Sequence, residues 1–340
     1  MNNKIDDSKA LTTPWTLKVF NSIPGNPTII GLGFVVTLFT VFFAGRYVAS
    51  ANSESTPADF RLTIVHLLLT AYSAFAYIYL LSSAKKAARD LAPTDRRNTL
   101  AAHSVDHAGT HHWWALVLAG VVGILVQTYF TVATTTDSEP WNWSHLSYDV
   151  QWMRILGPIF SAWISCLLYV LVIESFRLSK LSENIESLDL LDLSPYRPFV
   201  RQGLTNALLV AGFASVFSIF LLEPGFGLLI IQLSLLFTVF ATVGLMLPLS
   251  GIRRKISLAK SEERQWCTQQ IKATRDQFKE GRQGQKTLSD ILAYQQLIEN
   301  IRNWPFDSPT LTRFALYLLI PFGSLLGGVI IERAVDLLLS

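Results

Sequence analysis

Charge is scarce in this chain: only 16% of its 340 residues are Asp, Glu, Lys or Arg, where a soluble domain of this length carries about a quarter. Cysteine is scarcer still, with Cys166 in an apolar block and Cys267 in a charged one, so no disulfide framework is available. Nineteen Gly and 14 Pro are too few for a collagen-like or linker-like chain, and 12% aromatic residues exclude intrinsic disorder. The first 28 residues, with Asp6, Asp7, Pro14 and Pro24, lack the charged-then-apolar pattern of a cleaved signal peptide. Insertion is therefore expected to rely on the first membrane helix itself.

Catalytic signatures are missing as well. The sequence has no His-Glu-x-x-His pair for zinc, no Gly-x-Ser-x-Gly nucleophile turn, no Walker-type phosphate loop and no pair of carboxylates inside an apolar block. Catalysis needs a positioned acid, base or nucleophile, so the expectation is a protein that is not an enzyme.

What the chain does have is apolar residues in long runs: half of all residues are hydrophobic and the mean hydropathy is +0.35. Seven blocks reach the roughly 20 residues needed to cross a bilayer core of about 30 Å: 29–50, 62–83, 113–134, 155–174, 204–222, 227–249 and 313–332. The fifth and sixth are separated only by Glu223-Pro224-Gly225-Phe226, a tight helical hairpin. The predicted fold is all-α, a polytopic helical membrane protein of about seven transmembrane helices.

Orientation follows from Lys and Arg, which cytoplasmic loops retain in excess. With the N-terminus inside, 24 of the 28 basic residues are cytoplasmic, and only Arg46, Arg61, Arg154 and Arg333 face outward, against eight acidic residues there. This predicts N-in, C-out. It excludes the G-protein-coupled receptor arrangement, which is inverted, and no Lys lies within a span to hold retinal. The domain plan is a cytoplasmic segment 1–28, a six-helix membrane region 29–250, a cytoplasmic helical hairpin 251–311, and a seventh span with a short outer tail, 312–340.

The hairpin follows from pattern. A charged helical run continues from Arg253-Arg254-Lys255 to about Lys279, Gly281 and Gly284 break it, and a second helix from Leu288 to Trp304 carries Ile291, Tyr294, Ile298 and Ile301 on one stripe. That stripe must be covered; the first arm, with Trp266, Ile271 and Phe278, matches it only in part, so the segment Phe176–Leu193 or the same hairpin of a neighbouring subunit is expected to complete it. Ser308 and Pro309 form a natural cap and first residue for the last span. The stretch from Asn303 to Glu332, with Leu247-Pro248-Leu249 and Arg253-Arg254-Lys255-Ile256, resembles bacterial polytopic inner-membrane proteins of unassigned function. The resemblance covers the C-terminal third; it implies a bacterial inner membrane and nothing about chemistry.

Three groups of residues are candidates for function. His103, His107 and His111 recur every four residues, so on a helix they share a face that can bind a divalent transition metal; a polar helix start without ligand is the competing reading. Inside the spans, His66, Gln127 and Gln232 either line a polar cavity or hydrogen-bond one another across helices. In the last span, Pro321, Gly323, Ser324, Gly327 and Gly328 combine a kink with small-xxx-small spacing, which suits helix packing or a pore lining. Trp141, Trp143, Tyr148 and Trp152 are expected to form an interfacial aromatic belt, with a ligand-facing vestibule as the competing reading.

The expected partners are the lipid bilayer, further copies of the chain in a homo-oligomer, and a cytoplasmic protein. Nucleic acid is not expected, because the cytoplasmic charges interleave in sign. An oligomeric channel or permeation protein is the first reading; a sensor or receptor acting through the hairpin on a separate partner, and a scaffold without transport, are the alternatives. A coupled transporter is disfavoured by the lack of ionisable groups near the midplane.

Overall fold

The computed structural model describes residues 11–12, 27–49, 56–91, 110–134, 146–183, 189–222, 227–279, 285–304 and 309–319. Helix α1 spans Pro27–Ala49, α2 Pro57–Leu91, α3 Trp113–Thr134 and α4 Tyr148–Glu183. Helix α5 spans Arg197–Phe217, between single 3-10 turns at Ser194–Tyr196 and Ser218–Leu222. Helix α6 runs unbroken over Gly227–Lys279, α7 over Gln285–Asn300, and residues 309–319 are helical. Strands β1, Leu11–Thr12, and β2, His111–His112, pair antiparallel with Leu11 opposite His112.

Six of these helices are long and apolar enough to cross a membrane. They coincide with the first six sequence blocks. Of the seventh block, residues 313–319 are helical and the rest lies outside the described residues.

Local chemistry sets the helix ends. Thr56 Oγ1 accepts the Asp59 N–H at 3.1 Å, and the Thr56 N–H reaches the Asp59 carboxylate at 3.2 Å. This reciprocal box, with Pro57 as first helical residue, starts α2. Pro158 in α4 and Pro248 in α6 remain within continuous helices, because neighbouring helices can support the freed backbone groups.

The core is built by α2, α4, α5 and α6. Leu80, Leu81, Leu167, Leu171, Phe199, Phe213, Leu245 and Ile256 are buried in one cluster. In lipid, apolar burial gives helices no net drive to associate, so close packing must hold them. Glycine permits it: a Cβ on Gly123 of α3 would collide with Ser161 O of α4, and one on Gly251 of α6 with Ser179 O. The helices differ sharply in coverage. The apolar window of α2 is 72% buried, whereas those of α1 and α3 are 6% and 17% buried. Helices α1 and α3 therefore ride on the outside of a four-helix body.

Helix α7 folds back along α6. Ile291 and Ile298 are buried, and Tyr294 stands edge-on to Trp266 at 6.1 Å with its hydroxyl donating to Glu263 at 3.3 Å. Lys260 donates to the carbonyls of Glu299 and Ile301, at 3.2 and 2.6 Å, and so closes the end of α7. The stripe packs along α6 of the same chain, and Asp189 of the segment 176–193 lies within electrostatic reach of Tyr294, with Leu190 in the same buried cluster as Ile298.

Candidate functional site

Two polar clusters sit at opposite ends of the bundle, with a hydrogen-bonded node between helices nearer one of them. At the end where α1 finishes and α4 begins, Arg46 Nε lies 3.1 Å from Oδ1 and 3.3 Å from Oδ2 of Asp149. The Asp149 side chain is wholly buried while that of Arg46 is 37% exposed. Asp149 lies in the first turn of α4, where the helix dipole favours a carboxylate. The Arg46 guanidinium also lies over the Phe60 ring at 4.4 Å. Beneath the pair, Phe42 is fully buried, stacked on Tyr148 and edge-on to Trp152. Tyr148 donates its hydroxyl to Phe42 O at 3.3 Å. Tyr148 and Trp152, read as part of an interfacial belt, pack into the joint between α1 and α4, where Gly45 leaves room for the tyrosine hydroxyl. Trp113 and Trp114, at the other end of the bundle, stay exposed.

At that Lys/Arg-rich end, β2 delivers His111 into the bundle. Its Nε2 lies 3.0 Å from Oε1 of Glu174 on α4, and Arg177 Nη1 lies 2.7 Å from the same oxygen. The His111 ring is edge-on to Tyr169 at 5.8 Å, and Lys85 of α2 is within electrostatic reach of Glu174. Nearby, Arg201 of α5 pairs with Asp90 of α2.

The node joins α4, α5 and α6. Asn206 Nδ2 donates to Ser175 Oγ at 3.0 Å and to Gly244 O at 3.2 Å, and its Oδ1 accepts from Gln202 Nε2 at 2.9 Å. All three side chains are buried. One turn further along α4, Ser179 Oγ meets Ser250 Oγ at 2.8 Å and accepts the Gly251 N–H at 3.1 Å.

The residues predicted to cooperate inside the spans do not meet. His66 keeps Nδ1 2.7 Å from Leu62 O of its own helix, with its ring between Phe160 and Phe220. Since a carbonyl only accepts, Nδ1 carries the hydrogen. Gln127 accepts from Ser161 at 3.1 Å, and Gln232 is exposed on α6. His66 and Gln127 thus bond to Leu62 and Ser161 and not to each other.

His111 is extended in β2 rather than helical, so the four-residue spacing does not place it on a helix face with the earlier histidines. His103 and His107 lie outside the described residues, as do Pro321, Gly323, Ser324, Gly327 and Gly328. Among the described residues, no three His, Cys, Asp or Glu side chains cluster as metal ligands. Sequence reading passed over Asp149, Glu174, Gln202 and Asn206. The signal for Glu174 was an acid ending an apolar block three residues before Arg177.

The fold and its polar joints define a multi-pass helical membrane protein. No protein-family model, curated protein or solved structure matches the chain.

Proposed function

We propose that this protein sits in a bacterial inner membrane with its Lys/Arg-rich end in the cytoplasm, and that it acts without enzymatic chemistry, as a membrane sensor or receptor working through α6 and α7 on a separate cytoplasmic partner. The supporting observation is the length of α6. Its 53 residues span about 80 Å at 1.5 Å per residue, more than twice the roughly 30 Å hydrocarbon core. An unbroken helix carries rotation or displacement from its membrane half to its far half.

The far half offers a surface for recognition. A groove of about 660 Å³ between α6 and α7 is lined by Glu262, Glu263, Trp266, Asp290, Ile291 and Tyr294. Trp266 is exposed. An aromatic face among carboxylates suits a Lys or Arg side chain, so the partner presents a basic segment. A photo-crosslinking residue at Trp266, used in intact cells, is expected to trap one protein, and Glu262→Lys to abolish the adduct. Adducts only with lipid or with the chain itself would refute the reading. Tags at the two ends test orientation: a reporter before Met1 should lie inside and one after Ser340 outside.

The permeation reading is favoured by α1 and α3, whose barely covered apolar faces can accept neighbouring copies as well as lipid. The described interior is filled by side chains of α2, α4, α5 and α6, so a path would run between subunits, beside the small-residue face of the last span. In a background lacking Cys166 and Cys267, cysteine at Gly323 or Gly327 should then crosslink subunits, and the purified oligomer should conduct ions in liposomes. A monomer without flux or trapped partner leaves the scaffold role.

A further inference from the structure

The backbone ladder of α6 is opened where its apolar half ends, and two neighbouring helices hold it there. Pro248 stands inside this continuous helix and has no N–H to give to the carbonyl four residues earlier. That carbonyl is Gly244 O, and the Asn206 side chain of α5 supplies a donor in its place, with Nδ2 at 3.2 Å. Three residues beyond the proline, the Gly251 N–H donates to Ser179 Oγ of α4 at 3.1 Å. Its regular acceptor in a helix, Leu247 O, takes the Ser250 hydroxyl hydrogen at 2.8 Å. Proline and side chains inserted into the ladder are causes of sharp helix kinks; this stretch carries both and yet remains continuous.

Residues 244–251 also sit at a mechanical boundary. The apolar block 227–249 ends within them and Arg253-Arg254-Lys255 follow, after which α6 runs on to Lys279 with α7 packed along it. Asn206 and Ser179 are buried, as are Leu245 and Leu249 of the stretch itself. Asn206 is held in turn by Gln202 and by Ser175 of α4. Ser175 and Ser179 lie one turn apart on α4, whose other end is tied to Arg46 through Asp149, so a displacement of α4 acts on both bonds.

We propose that residues 244–251 form a latched hinge. While Asn206 holds the Gly244 carbonyl and Ser179 the Gly251 N–H, α6 is one stiff rod. When α4 or α5 shifts and these two bonds part, α6 bends at Pro248 and its far half swings with α7, the few residues of the hinge absorbing the change. The arm is long: from Pro248 to Gln269 is about 32 Å at 1.5 Å per residue, so a kink of about 20° carries Gln269 through roughly 11 Å. The use of the hinge in signalling rests on the sensor reading, whereas its mechanics need no partner.

The test is a pair of spin labels read by pulsed dipolar spectroscopy on the full chain in lipid nanodiscs. In a background of Cys166→Ala and Cys267→Ala, cysteines replace Phe176 of α4 and Gln269 of α6, both exposed. This background should give one narrow distance. Asn206→Leu should broaden it toward a second distance displaced by up to roughly 11 Å; Ser179→Ala, which removes only a hydroxyl and so leaves folding intact, should shift it in the same direction. Pro248→Ala returns an N–H to Gly244 O, so combining Pro248→Ala with Asn206→Leu should recover the narrow distance. An unchanged distribution in both Asn206→Leu and Ser179→Ala would overturn the proposal. So would broadening in Asn206→Leu that persists with Pro248→Ala, since Asn206 would then act by packing and not through the freed carbonyl. Partner trapping at Trp266 is a separate readout: its failure counts against the sensor reading and leaves the distances as they are.

Discussion

Replacing Arg46 by alanine should loosen α1 from the rest of the bundle, and the size of the effect can be worked from the joint it disturbs. The apolar window of α1 is only 6% buried, and its anchoring side chains cluster where Arg46 meets Asp149 and Phe42 meets Tyr148 and Trp152. Removing one partner of a fully buried ion pair costs about 3–5 kcal/mol, while exposed pairs contribute about 0–1 kcal/mol. Arg46 is 37% exposed and Asp149 wholly buried, so solvent screening places Arg46→Ala between these limits, at about 2 kcal/mol. The loss comes mainly from stranding the Asp149 charge. Asp149→Asn should cost less, about 1 kcal/mol, because Arg46 can still extend to the headgroups. The double variant should be no worse than Arg46→Ala alone, since the stranded charge is gone. Unfolding in mixed micelles of rising SDS fraction, run as a double-mutant cycle, reads these differences. Strict additivity, or a larger cost for Asp149→Asn than for Arg46→Ala, would refute the reasoning.

Glycine substitutions should divide by position. Gly123→Ala drives its Cβ into Ser161 O and Ser165 Oγ, whereas Gly33→Ala meets nothing within 4 Å; SDS unfolding should show a loss of about 1–3 kcal/mol for the first and no loss for the second. Asn206→Leu leaves Gln202 Nε2 and Ser175 without the partner they have now; a cost of about 1–2 kcal/mol is expected by the same assay, larger than that of Gln202→Leu. Asp192 accepts the Ser194 N–H at 3.0 Å, and hydrogen bonds from the Ser194 side chain and amide hold its carboxyl below the usual aspartate range. A lowered folded-state value means that its support for the turn into α5 is complete above about pH 4 and lost as pH falls through that lower value. Protection of the Ser194 amide, its exchange rate compared with the intrinsic rate at the same pH, should fall on acidification in the wild type and stay unchanged in Asp192→Asn.

Much of the architecture was legible in the sequence, because a membrane imposes its constraint residue by residue. A span must be apolar for about 20 residues whatever it packs against, so blocks 29–50 and 113–134 match α1 and α3 to within a few residues. The end of α6 at Lys279 was legible too, since the helical pattern in the sequence is interrupted by two glycines just beyond it. The stripe of Ile291, Tyr294 and Ile298 was visible as a pattern and its partner only in part: Trp266 of α6 was legible, whereas Cys267, Glu263 and Lys260, which also meet α7, are marked by no hydrophobic periodicity.

The joints were settled only by tertiary structure. Asp149 and Arg46 are 103 positions apart, and His111 and Glu174 are 63 apart in the numbering; nothing local to either member announces the other. His66 and Gln127 show the converse, since polarity within a span says that a partner is needed and not which one. His66 found the carbonyl of its own helix and Gln127 found Ser161. Sequence alone fixes which segments can enter lipid, because that depends on each segment's transfer from water. Which polar atoms end up together depends on helix rotation and on the glycines that let backbones touch, and those are decided by packing over the whole bundle.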